Sequence, residues 1–262
     1  MKYEVDCLNK AILRGLDILK FVGESEEPVT IAELSRYLEI PKTSVFNIVN
    51  SLVERDYLSV KDRKLKSYEL GIGTFKLGSL YLSKTGLVNI ADPILKWAAD
   101  NVLETVFLAV VNNYELVYIY KKESKKTLRT TANLGSVMPL YSTGLGKAIL
   151  ATYDEVEINE YLTRTKLLPR TEKTLINRED LLEDLEVTRQ RGYSICDEEN
   201  EDGIFCIGVP VHDNTGKAIA AVSISSLKIN NYSEKAKKHK EFAIKAALEI
   251  SKRLGYTKER LF

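Results

Sequence analysis

Two of the chain's three cysteines, Cys196 and Cys206, stand in GYSICDEENEDGIFCIGVP (192–210), where they bracket the acidic run Asp197 to Asp202. Thiols beside carboxylates suit a metal site, a catalytic thiol, a redox switch or a ligand pocket. A zinc site needs about four N or S ligands. Here nine residues separate the thiols and no histidine is close in sequence. The acids lack the Asp/Asn-Gly spacing of a calcium loop, so a solvated loop is the simpler reading. A cysteine hydrolase needs a base and an orienting partner beside the thiol. Neither of the two histidines, His212 and His239, sits in such a motif. Adjacent acids should also raise a thiol's pKa and blunt its reactivity.

A second candidate is GLGK (144–147). It is not a phosphate loop, because GxxxxGK[ST] is absent and Ala148 follows the lysine. Ser142 or Thr143 can instead cap a helix, with the amides of Gly144, Leu145 and Gly146 at its start. Such amides favour a carboxylate, and glycine lets a ligand approach the backbone. The alternative is an ordinary capped helix packed through small residues.

A third candidate lies in PKTSVFNIVNSLVERDYL (41–58). With Val45 at the centre of its core face, Thr43, Asn47 and Asn50 fall opposite, flanked by Ser44 and Phe46. Exposed helix faces usually carry Glu, Lys and Arg. A small, neutral one suits close approach to base edges and phosphates in a major groove. Lys42 reaches phosphate. Arg63, Lys64 and Lys66 in KDRKLK (61–66) would touch flanking backbone from the tip of a hairpin. The competing reading is a helical oligomerisation module with a polar face.

These candidates need elements to hold them. The 262 residues allow one large domain or two ordinary ones. A 44% hydrophobic and 29% charged composition supports a packed core. The net charge of +1 requires any nucleic-acid contact to be a local patch. No signal-peptide or membrane-length apolar run is visible, so a cytoplasmic protein with reduced thiols is expected.

Ile12, Leu16 and Leu19 mark a first helix. Thr30 and Glu33 form a capping box for a second, with Ile31, Leu34 and Leu38 as its stripe. Val45, Ile48, Val49, Leu52 and Val53 mark the third. YLSVKDRKLKSYEL reads as a hairpin, completing a winged helix-turn-helix. A glycine-weakened helix follows at 71–86, then another at NIADPILKWAADN with Asp92 and Pro93 as cap and first residue.

Beyond that, strands are expected at 105–111 and 114–121 around an Asn112-Asn113 turn, at TLRTTA (127–132), at YSIC, and on either side of Asn214-Thr215-Gly216. Helices are expected at 154–162, 177–191 and 233–254. This is an α+β domain around a mainly antiparallel sheet. The divisions expected are 1–70, a linking helix at 71–87, and 88–262.

The stretches ILRGLDILKFV, TIAELSRYLEIPKTSVFNIVNSLVERDYL, YELGIGTFKLG, PLYSTGLGKAILA, RGYSICDEENEDGIFCIGVPV and AAVSISS together resemble IclR-type bacterial transcriptional regulators. The resemblance implies a winged helix, a linking helix and a GAF-like effector-binding domain. It implies double-stranded operator DNA and a small-molecule effector, commonly an organic or aromatic acid, as partners of a homodimer or dimer of dimers. Repression or activation are both implied; catalysis, a cofactor and a membrane are not. The matching effector positions are Gly144, Leu145, Cys196, Ile204, Cys206, Ser223 and Ser225. Cys196 departs from the family's pattern, where an acid is common. The site this leaves is less polar, so its ligand should differ from that of members with the acid; a redox- or metal-responsive regulator using Cys196 and Cys206 is the alternative.

Overall fold

The computed structural model describes residues 9–62, 64–84, 86–126, 132–228 and 232–262. It divides into two compact units, Met1–Thr85 and Gly86–Phe262.

The first unit holds α1 (Lys10–Glu24), β1 (Val29–Thr30), α2 (Ile31–Leu38), α3 (Lys42–Glu54), β2 (Leu58–Asp62), β3 (Ser67–Leu70) and α4 (Ile72–Lys84). The three strands form an antiparallel sheet in the order β1-β3-β2. The capping box on α2 is present: Thr30 accepts from the Glu33 amide and Glu33 accepts from the Thr30 amide at 2.7 Å. Pro41 takes the N-cap position of α3. Ile18, Val22, Leu34, Val45, Val49, Leu58 and Tyr68 form the core.

The α1 stripe read from the sequence is corrected. Ile12 and Leu16 are 62% and 59% exposed, whereas Gly15, Ile18 and Val22 face the core. This helix carries two apolar faces, and only one is used within the unit. Ile72 and Phe75 of α4 are likewise exposed.

The second unit holds α5 (Leu87–Val102), β4 (Thr105–Asn112), β5 (Glu115–Lys122), β6 (Val137–Pro139), α6 (Gly144–Leu150), α7 (Glu155–Arg164), α8 (Arg178–Arg191), β7 (Ser194–Asp197), β8 (Ile204–His212), β9 (Ala218–Leu227) and α9 (Tyr232–Arg253). Its six strands pair antiparallel throughout, in the order β6-β5-β4-β9-β8-β7. Helices α6, α7 and α8 share a core with Phe107, Ala109 and Ala221 on one face. Helices α5 and α9 pack together and cover the other.

Three local expectations change. Pro93 lies inside α5, which begins at Leu87, so Asp92 is not its cap. Asp92 instead accepts from Lys96 Nζ at 2.8 Å and from the Tyr120 hydroxyl at 3.1 Å. The β4–β5 turn is Asn113-Tyr114, one residue later than expected. Both residues have positive φ (50° and 65°), the signature of a two-residue type I′ connection. The strand expected at 127–132 falls almost wholly outside the described residues; only Ala132 lies within them, and it is not in a strand.

Candidate functional site

The polar face of α3 is where its periodicity puts it. Val45 and Val49 are fully buried, so Lys42, Thr43, Asn47 and Asn50 are left exposed and Ser44 half-buried on the other side. The wing turn is closed by Asp62, whose carboxylate accepts from the amides of Lys64 and Leu65 at 2.7 and 3.0 Å. That turn leaves Lys64 and Lys66 exposed. Lys66 sits with its ammonium 5.1 Å from the centre of the Phe46 ring, which joins the wing to the α3 flank. Arg63 lies outside the described residues.

In the second unit, all seven residues Gly144, Leu145, Cys196, Ile204, Cys206, Ser223 and Ser225 line one cavity of about 220 Å³. Strand register explains how residues so far apart in sequence meet. Cys196, Cys206, Ser225 and Thr105 are aligned across four neighbouring strands, and Ser194, Gly208, Ser223 and Phe107 form the parallel row two residues on. Side chains two apart on a strand share a face. Cys196, Cys206, Ser225, Ser223 and Phe107 from these rows therefore form the floor, and α6 supplies a wall.

That wall sits close because glycine permits it. A Cβ on Gly208 would lie 2.1 Å from the Gly144 carbonyl oxygen, and one on Gly146 would lie 2.2 Å from Leu140 Cα. The bareness of Gly146 therefore serves helix packing rather than ligand approach. Thr143 is the N-cap, accepting from the Gly146 amide at 3.0 Å. With seven residues, α6 has only a modest dipole to offer.

Sequence reasoning missed the rest of the lining. Phe107 and Tyr118 pack edge to face at 5.1 Å, and Asn133, Met138, Asn200 and Glu201 complete the walls. The Phe107 position is readable only once β4 is known to pair with β9. Among the described lining residues there is no lysine or arginine. Burial pushes the Tyr118 hydroxyl well above its ordinary pKa, so it is a neutral donor.

The thiols belong to residues paired directly across the β7–β8 register. The Cys196 thiol donates to the Ser142 carbonyl at 3.2 Å, and Cys206 Sγ lies 3.0 Å from Ser225 Oγ. The neighbouring Cys206 holds Cys196 below the usual thiol range, and Cys196 together with burial pushes Cys206 well above it. Glu199 acts in the opposite direction, as the sequence suggested of the neighbouring acids. Among the described residues no three His, Cys, Asp or Glu side chains gather into a metal site. His212 is held by the carbonyls of Gly216 and Leu261, at 3.0 and 2.9 Å. His239 is buried.

The acidic run is clamped at Asp197, Glu198 and Glu199, while Glu201 and Asp202 are exposed. Asp197 pairs with Lys228 at 2.7 Å. Glu198 binds Lys173 and Lys228, which hold its carboxyl down at about 2. Glu199 is buried, and both of its oxygens accept from Lys147 Nζ at 2.7 Å. Lys147 is itself fully buried and also meets Asp184 at 3.0 Å. Thr171 and Thr174 donate to the carbonyls of residues 198 and 199 at 2.7 and 2.6 Å. The run is thus a clamped strap that carries Asn200 and Glu201 over the cavity.

The family model described as the IclR helix-turn-helix domain matches residues 11–62, and that described as the bacterial transcriptional regulator IclR C-terminal matches residues 79–252. The HTH-type transcriptional repressor AllR of Escherichia coli K12 is 31% identical over 246 residues, covering 94% of this chain and 90% of that protein. The crystal structure of the Thermotoga maritima IclR superposes with a TM-score of 0.79 at 33% identity, covering 94% of this chain and 98% of that one. An IclR homolog from Microbacterium hydrocarbonoxydans, solved with 4-hydroxybenzoate, shares the fold at 20% identity with a TM-score of 0.76, covering 91% and 98%. Such relatives are regulators rather than enzymes. A helix-turn-helix unit followed by a C-terminal unit matched over most of its length makes this chain a DNA-binding member of the IclR family of bacterial transcriptional regulators.

Proposed function

We propose that this regulator senses a small organic acid in the cavity over β7, β8 and β9 and converts its binding into a change of operator affinity. The observation that carries this reading is the convergence of seven separately placed residues on one cavity. Its volume of about 220 Å³ lies below the roughly 300–1,000 Å³ of pockets for drug-sized molecules, which favours a metabolite of few carbons. Apart from Glu201 at the wall, its polar lining is hydroxyls, thiols and amides, so a carboxylate there would be held by neutral donors. The M. hydrocarbonoxydans homolog, solved with an aromatic acid, gives the same chemical class.

Lys42, Thr43, Ser44, Asn47 and Asn50 would face the major groove, with Arg63, Lys64 and Lys66 on flanking phosphates. Residues 1–70 would then act as the reading head, 71–87 as the linker and 88–262 as the sensor. The exposed Ile12 and Leu16 on α1 and Ile72 and Phe75 on α4 support a homodimer, since burying each such side chain is worth about 1.5–3 kcal/mol. A dimer would set two recognition helices about 34 Å apart, or a multiple of that, to engage both half-sites. Whether the outcome is repression or activation depends on the operator's place relative to the promoter.

The test is a gel shift on the DNA upstream of the protein's own gene, with and without a panel of short carboxylic acids. Salt-sensitive binding that one acid alters is the expected result. Asn47→Ala should weaken specific binding by about 1–3 kcal/mol while leaving non-specific binding nearly unchanged. Equal loss on both would remove Asn47 from base reading.

A further inference from the structure

Cys196 and Cys206 stand directly opposite each other on β7 and β8. The Glu198 amide donates to the Ile204 carbonyl at 2.9 Å, two residues beyond that pair in the same register. Antiparallel pairs alternate, so Cys196 and Cys206 also form a hydrogen-bonded pair, with Cα atoms about 5.5 Å apart. That lies inside the roughly 4.4–6.8 Å window for a disulfide. Their side chains share one face, and both line the cavity. A reactant small enough for the cavity therefore reaches both sulfurs.

We propose that Cys196 and Cys206 form a reversible disulfide on reaction with a small hydroperoxide, and that this bridge alters the cavity's control of operator affinity. The second half rests on the cavity being the effector site; the first does not.

Cys196 is the attacking sulfur. The neighbouring Cys206 thiol and the Lys147 charge hold its pKa below the usual thiol range, which favours its thiolate. Cys196 attacks the terminal hydroperoxide oxygen, the O–O bond breaks, and the alcohol leaves with a proton. Cys206 then attacks the resulting sulfenic sulfur, the S–O bond breaks, and water leaves. Two thiols have lost two electrons and two protons, and the hydroperoxide has become alcohol and water. The bridge removes the thiol hydrogen that Cys196 gives to Ser142 and breaks the Cys206–Ser225 contact, so the floor loses its two soft donors. Because the bridge faces the cavity, small dithiols can reverse it.

The test uses the full-length protein carrying Cys7→Ser, treated with hydrogen peroxide. Trypsin releases residues 192–217 as one peptide holding both cysteines, with no lysine or arginine between its ends. The expected result is loss of two hydrogens from that peptide, restored by dithiothreitol. In Cys206→Ser the loss should vanish, and dimedone should trap a sulfenic acid at Cys196. A peptide that keeps both thiols, or that only gains oxygen at either sulfur, overturns the proposal. The oxidised protein should then differ from the reduced protein by at least about fivefold in operator affinity, the lower end of ordinary allosteric coupling. Cys206→Ser should show no such difference. A disulfide without that change overturns the coupling. If the reduced protein binds no operator DNA, the regulatory reading fails while the peptide result stands.

Discussion

Replacing Lys147 by alanine should destabilise the second unit more than any exposed charge change could. The lysine is fully buried, with Glu199 at 2.7 Å through both oxygens and Asp184 at 3.0 Å. Truncation leaves the Glu199 carboxylate buried without its cation. Removing one partner of a buried pair costs about 3–5 kcal/mol. At roughly 2–4 °C per kcal/mol for a unit of this size, the melting temperature should fall by about 6–20 °C. Burial already raises the Glu199 pKa against the pull of Lys147, and without the lysine it should rise further. A carboxyl whose folded pKa lies above its unfolded one is most stabilising below the unfolded value and loses that contribution as pH rises through the folded one. The Lys147→Ala penalty should therefore be smaller at pH 5 than at pH 8, read by urea denaturation with far-UV circular dichroism. The paired change Lys147→Met with Glu199→Leu should recover much of the loss, because a well-packed apolar pair often matches a buried ion pair. A penalty under about 1 kcal/mol at pH 8 would refute the buried clamp, since that is the range of surface pairs.

Other consequences are as direct. Gly208→Ala should destabilise the unit by at least about 1–3 kcal/mol, because its methyl would meet the Gly144 carbonyl at 2.1 Å; differential scanning fluorimetry reads this, and a neutral result would contradict the tight α6–sheet contact. His239 is buried, its Nδ1 has no hydrogen-bond partner among the described residues, and burial lowers its pKa to about 4. Its stability contribution is present above about pH 6.5 and lost as pH falls toward 4, a loss of up to about 3 kcal/mol; His239→Leu should flatten that part of the pH profile. Glu198 is held at about 2, so its contribution is present above about pH 4.5 and lost between there and pH 2; Glu198→Gln should abolish that acid limb of the unfolding curve.

Local rules carried far where one force dominates. The Thr30–Glu33 cap and the α3 face follow from spacing alone, because both are settled within one or two helical turns. The α1 stripe misleads because Ile12 and Leu16 compete with Ile18 and Val22, and periodicity cannot say which face the unit uses. Pro93 reads as a helix start, yet α5 already runs from Leu87. The cavity's named residues came from family likeness, whereas Phe107, Tyr118 and Asn133 join only through strand pairing across the sheet. The clamp was invisible for a similar reason. Lys147 and Glu199 are 52 positions apart, and a lysine inside GLGK gives no sign of burial.

The aligned rows beneath the cavity give the regulator a particular kind of adaptability. Ser223 and Ser225 alternate along β9 with Val222 and Ile224, which face α5 and α9. A change at one row position rewrites a point on the sensing surface and leaves the packing on the far side intact. Each strand supplies such points independently, so ligand preference can drift one residue at a time. The sheet works as a keyboard whose keys are replaced singly, while its frame stays as it is.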